Sequence, residues 1–333
     1  MKRAVVASVV VLLAAPAIRA QQPSPEASPE RPPVFRTATN LVPLNVTVID
    51  SKNHFVKGLQ ASDFVVFEDG VQQQLEFFEP TEVPLDLMIM LDTSSSMSDK
   101  MEVVHEAAIG FLRSLRPQDR GAVVAFAEGV NVLQELTSDR AALDQAVRRT
   151  TARGATSLHN ALYIALKQFA PRTKAEGDIR RRAIAVLSDG EDTSSLISFD
   201  DVLAVARRSG VSIYPISLQS KYTAARIASG GQRRFFSQAE FSLRRLAQET
   251  GGEAFFPLQV VELKGVYAAI AEELSCQYSL AYASANSEPD GRFRRIVVRV
   301  TSRPDLKLRT RTGYVAELAR TMPATTPVAD QQR

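Results

Sequence analysis

The stretch LMIMLDTSSSMSDKM, Leu87–Met101, runs an unbroken apolar segment into Asp92 and then into Ser94, Ser95 and Ser96. Near-continuous hydrophobicity over 85–91, broken only by Asp86, marks a strand covered on both faces, since a half-exposed strand would alternate. GAVVAFA (121–127), RAIAVLS (182–188) and VSIYPIS (211–217) have the same character. Between these runs, 100–115, 139–149, 157–169, 199–208, 241–249 and 261–274 carry apolar residues three and four apart and are predicted helices. The alternation implies an α/β fold with a doubly wound, mostly parallel, Rossmann-like sheet, whose ligands bind beyond the carboxyl ends of the strands. Asp92 stands at one such end.

The same edge collects further oxygen atoms. Asp189 ends a second strand in AIAVLSDGEDTSS, and Thr156 in RGATSLHNAL follows Gly154 at the start of a helix. Asp92, Ser94, Ser96, Thr156 and Asp189 are all hard donors from three distant segments, a set that suits Mg²⁺, with Mn²⁺ and Ca²⁺ as alternatives. His54, His105 and His159 lie in separate segments, so no histidine pair has metal-ligand spacing. His159 itself reads as a surface or polar core residue. Glu191 and Asp192 read as exposed turn acids, and the triplet Arg180–Arg182, opposite the metal face, as solvated surface.

Outside 84–275 the pattern changes to period two. Leu44, Val46 and Val48 share one face, and DFVVFEDGVQQQLEFF (63–78) places Asp69 and Gly70 at a hairpin turn. Tyr278, Leu280 and Tyr282 alternate, as do RRIVVRV (294–300) and LKLRTRTGY (306–314). Neither set buries enough area alone, so 36–82 and 276–316 are expected to pack as one small β-sandwich flanking the sheet domain. The polar tail 317–333 is expected to be disordered.

The first 20 residues, MKRAVVASVVVLLAAPAIRA, read as an export signal too short to span a bilayer comfortably. The Pro-rich segment 21–35 then reads as a linker. Cleavage removes Lys2, Arg3 and Arg19 but no acid, so the formal charge of +3 falls to zero, which argues against nucleic acid as a partner. The mature chain is expected to be secreted or periplasmic, without a membrane span. Cys276, the single cysteine, permits no intramolecular disulfide and reads as a buried thiol.

Together these motifs resemble the von Willebrand factor type A domain, over about 84–275. In that family a D-x-S-x-S loop, a threonine and an aspartate, in that chain order, form a metal-ion-dependent adhesion site, and Asp92, Ser94, Ser96, Thr156 and Asp189 match all five positions. The resemblance implies that the three hydroxyls bind the metal directly, that the aspartates act largely through water, and that a partner's carboxylate takes an open position. Ser95 replaces a common glycine. Asp99 suggests an adjacent calcium site, although Lys100 stands where a second acid would help. More loosely, the whole architecture resembles exported bacterial proteins of acidobacterial type that are related to this domain.

Three functions follow: a module binding a protein that presents Asp or Glu to the metal, an envelope scaffold with a structural metal, or a metal-assisted hydrolase. The chain lacks a further base or second-metal motif for hydrolysis, so a non-catalytic adhesion module is expected. The long connection 218–240 leaves the metal face and contains GGQRRFF, which makes Gln232, Arg233, Arg234 and Phe235 the expected partner contacts.

Overall fold

The computed structural model of the chain describes residues 41–80, 83–169, 180–189, 192–218 and 237–316. The expected signal, the linker, Gln232–Phe235 and the C-terminal tail lie outside them. In chain order come β1 (Leu41–Ile49), β2 (Phe64–Glu68), β3 (Val71–Gln73), β4 (Leu75–Pro80), β5 (Leu85–Asp92), α1 (Met101–Arg113), β6 (Arg120–Phe126), β7 (Val130–Thr137), α2 (Arg140–Arg148), α3 (Leu158–Phe169), β8 (Arg181–Ser188), α4 (Phe199–Ser209), β9 (Ser212–Ser217), α5 (Gln238–Thr250), α6 (Leu263–Cys276), β10 (Tyr278–Ala283), β11 (Phe293–Val300), β12 (Lys307–Arg309) and β13 (Gly313–Val315).

The central sheet has the order β7-β6-β5-β8-β9. β5 pairs in parallel with β6 on one side and β8 on the other, which is why its whole length is buried and, apart from Asp86 and Asp92, apolar. Its side chains alternate between two cores. Leu85, Leu87, Ile89 and Leu91 pack with α1, α2 and α6, whereas Met88 and Met90 pack with α3, α4 and α5. The doubly wound reading holds. The antiparallel strand β7 escaped the sequence reading because its residues are only partly buried and its apolar positions do not alternate cleanly.

The arginine triplet is a correction. Arg181 is 4% exposed and donates to the carbonyl oxygens of Val83 (3.1 Å) and Leu274 (2.6 Å), and burial lowers its pKa to about 10. Arg180 pairs with the buried carboxylate of Asp86 at 2.7 Å, and Arg120 grips the same carboxylate at 2.8 and 2.7 Å. These cations lie at the amino ends of the strands and join them to neighbouring loops; they are not solvated surface.

The flanking segments do form a sandwich. One sheet has the order β12-β1-β10-β4 and the other β13-β11-β2-β3, so each mixes strands from both ends of the chain. Their inner faces share one core, including Leu44, Val46, Val48, Phe64, Val66, Tyr278, Leu280, Tyr282, Ile296 and Val298. Asp69 (φ 48°) and Gly70 (φ 86°) form the β2–β3 turn, and two consecutive positive φ angles suit the right-handed twist of a two-residue hairpin. The alternating run 306–314 divides into β12 and β13, one in each sheet. Cys276 is buried and unbridged, as expected.

A polar seam joins the sandwich to the sheet domain. Glu273 on α6 is 1% exposed and accepts from Thr47 Oγ1 on β1 at 3.0 Å and Tyr214 Oη on β9 at 3.1 Å. Arg309 on β12 pairs with the same carboxylate, and Gln277 Nε2 donates to Thr47 Oγ1 (3.2 Å) and Tyr214 Oη (3.0 Å).

Candidate metal centre

Three loops meet at the carboxyl ends of β5 and β8. The first leaves β5 at Asp92, whose side chain is buried and accepts from the backbone N–H of Ser94 at 2.8 Å and from Ser188 Oγ at 2.6 Å. The first bond folds the chain back on itself, and Ser95–Met97 continue as a single 3₁₀ turn. Ser94 Oγ and Ser96 Oγ are thereby 3.0 Å apart, and Ser96 Oγ donates to Asp189 Oδ1 at 2.7 Å. Asp92, Ser94, Ser96 and Asp189 are thus one contiguous cluster.

Thr156 enters through the backbone of the second loop. Gly154 adopts φ +79°, and its carbonyl oxygen accepts from Ser95 N at 3.0 Å; Arg153 N donates to Thr93 O at 2.6 Å. Thr156, itself 5% exposed, turns its carbonyl oxygen to Thr193 N (3.0 Å) and Ser194 N (3.1 Å) of the third loop. The threonine therefore lies between the other two loops, bonded by its backbone to the third. Replacing Gly154 by alanine should cost about 1–2 kcal/mol, because an L side chain disfavours this left-handed conformation. The added Cβ would also meet Glu128 Oε1 at 3.2 Å. A backbone shift that relieves this strain would stretch the bond from Ser95 N to the residue-154 carbonyl and loosen the serine turn, so chemical denaturation and metal titration of Gly154→Ala should both register it.

The third loop is held by residues that the sequence reading left outside the site. Asp192 accepts from His159 N at 2.7 Å and Ser195 N at 2.9 Å, and Asn160 Oδ1 accepts from Leu196 N and Ile197 N, each at 3.1 Å. Burial pushes the Asp192 carboxyl up, but hydrogen bonds from Ser195 and His159 outweigh it, and the net pKa is lowered. Asp192 is a clamp rather than an exposed turn acid. His159 Nδ1 sits 3.4 Å from its carboxylate, so this histidine belongs to the clamp.

Lys100 is the second addition. Its ammonium donates to Ser96 O and Asp189 Oδ2 and lies 3.4 Å from Asp99 Oδ1. Asp99, with a 62% exposed side chain, pairs with a cation. Burial raises the pKa of Asp92 above the ordinary carboxylate value; hydrogen bonds from Ser188 and Ser94 oppose this, and the charge of Asp189 adds to it. Two neighbouring carboxylates, one of them with no cation against it among the described residues, with hydroxyls around them, fit a hard divalent cation. Among the described residues no three His, Cys, Asp or Glu side chains converge on a metal site, so an ion here would depend on hydroxyl oxygens.

Residues 87–191 match the family model of the von Willebrand factor type A domain. Residues 87–191 therefore form a von Willebrand factor type A domain within the chain. A UPF0353 protein of Mycobacterium leprae is 27% identical over 213 residues, covering 60% of this chain and 63% of the relative. An uncharacterized protein of Synechocystis is 34% identical over 113 residues, covering 33% of this chain and 26% of the relative. The chain thus spans less than two thirds of either relative's length. Among solved structures, a von Willebrand factor type A protein from Catenulispora acidiphila aligns over 85% of this chain and 76% of its own, at 14% identity and TM-score 0.46. Proximal thread matrix protein 1 from the mussel byssus, solved with a zinc-occupied MIDAS motif, aligns over 60% of this chain and 48% of its own, at 17% identity and TM-score 0.47.

Proposed function

We propose that the chain is an exported, non-catalytic adhesion module that binds a partner protein through a divalent metal held by Asp92, Ser94, Ser96, Thr156 and Asp189, with Mg²⁺ the first choice. The observation that carries this reading is the direct contact of Ser96 with both Ser94 and Asp189, the latter 93 positions away in the chain. Neutral hydroxyl ligands leave much of a divalent charge uncompensated, so an incoming Asp or Glu carboxylate is favoured. A groove of about 690 Å³ opens beside the cradle, lined by Thr93, Glu128, Arg149, Arg153 and Gly154, and its two exposed arginines suit an acidic partner. Gln232, Arg233, Arg234 and Phe235 remain proposed partner contacts on the long connection. Export rests on the sequence of residues 1–20. Among the described residues no helix is long and apolar enough to cross a membrane.

Immobilised chain should capture a partner from envelope extract in Mg²⁺ and release it in EDTA, and Ser96→Ala should capture less. Capture unchanged by EDTA would move the reading to a scaffold with a structural metal. Metal-dependent turnover of a generic ester would instead favour a hydrolase.

A further inference from the structure

We propose that Lys100 is an internal cation of the cradle: its ammonium fills the metal-free site against Asp189 and must swing toward Asp99 before a metal ion can bind. This rests on the metal-site reading above. The sequence puts a lysine four residues beyond Ser96 and one before α1, a spacing that returns its side chain over the serine turn.

The contacts leave little of the third loop's carboxylate for another ligand. Asp189 Oδ1 accepts from Ser96 Oγ at 2.7 Å, and Asp189 Oδ2 accepts from Lys100 Nζ. The same ammonium also donates to Ser96 O, so it ties together the two loops that a metal would bridge. The Lys100 side chain is only 22% exposed and that of Asp189 only 5%, so this is an enclosed ion pair rather than a surface one. In charge terms the lysine supplies part of what a divalent ion would bring, and a cation entering the same oxygens meets like-charge repulsion from it.

Asp99 provides the way out. Its carboxylate is already 3.4 Å from Lys100 Nζ and its side chain is 62% exposed, so a rotation of the flexible lysine stem transfers the ammonium from an enclosed acceptor to a solvated one. The cradle then has two states, each with a cation on Asp189. Apparent metal affinity is the intrinsic affinity reduced by the fraction of molecules in which the lysine has withdrawn. With about one molecule in ten withdrawn, removing the lysine tightens binding about tenfold.

The test uses the mature chain and Mg²⁺ alone as probe. Calorimetric titration of Lys100→Met should give a Kd about tenfold lower than wild type, whereas Lys100→Arg, which keeps a cation, should not tighten. In wild type, acetylation of Lys100 by an amine-reactive ester, followed by mass spectrometry, should be slow in EDTA and faster in saturating Mg²⁺, while lysines elsewhere keep their rates. This second measurement decides the matter if Lys100→Met fails to fold. Equal Kd for Lys100→Met and wild type, or metal-independent acetylation of Lys100, overturns the role of the lysine and leaves the adhesion site standing. Absence of Mg²⁺ binding in wild type and Lys100→Met alike overturns the metal reading and this inference together. Binding by Lys100→Met only would be the strongest support.

Discussion

Replacing Asp92 by alanine is expected to weaken divalent-metal binding by roughly 10- to 100-fold, the scale seen when a group that orients metal ligands is lost. Asp92 holds the Ser94 backbone at 2.8 Å and Ser188 Oγ at 2.6 Å, so its removal takes away a negative charge and also frees the turn that presents both serines. The metal-free fold should lose about 1–3 kcal/mol, because the Ser94 N–H is left in a buried place without its acceptor. That deficit should depend on pH. Burial raises the native carboxyl above its ordinary value of 3.8, so between the two values the native state holds more protons than the unfolded one. Wild-type stability without metal therefore falls as pH rises through that window, and the alanine variant lacks the fall. The variant's deficit should be largest in acid and narrow toward neutrality. Titration calorimetry and melts in EDTA across pH would check both parts. Wild-type Mg²⁺ affinity in Asp92→Ala would end the adhesion-site reading.

The second large effect is expected at the seam. Glu273→Ala should cost about 3–5 kcal/mol, the range for removing one partner of a buried ion pair, with the lower end expected because Arg309 keeps Glu253 at 2.7 Å. Thr47 and Tyr214 lose a common acceptor. A loss of about 3 kcal/mol corresponds to a fall in Tm of roughly 6–12 °C for a domain of this size class. Hydrogen exchange should quicken first in β1 and β12, which meet α6 through this carboxylate, and last in the buried β5. Glu273→Gln preserves shape and an acceptor and should cost less, about 1–2 kcal/mol. A melting temperature unchanged in Glu273→Ala would mean that the seam adds nothing to the packing of the two layers.

The five candidate oxygen donors could be picked out of the sequence because each sits at a place fixed by local rules. Asp92 and Asp189 stand at the ends of apolar runs that read as covered parallel strands, and Thr156 follows a glycine in the turn just ahead of α3. The clamp was not legible. Asp192 and Asn160 are ordinary turn and helix residues until packing brings 159–160 against 192–197, and their hydrogen bonds cross more than 30 positions of chain.

By itself the sequence determined the alternation of helices with the parallel strands, the two-faced burial of β5 and the period-two flanks, and it nominated the five oxygen donors, because each follows from periodicity, turn chemistry or spacing within a short window; β7 carried no such signal. Only the tertiary structure decided which charges are exposed and which are paired. Arg181 and Lys100 look in the sequence like any surface cation. The first is buried by carbonyl oxygens of Val83 and Leu274, and the second is drawn into the cradle by Asp189, 89 positions away. A charged side chain carries no local signal of its burial. Whether it stays in water or enters the protein depends on acceptors that the fold brings from elsewhere in the chain, and on desolvation being offset by them.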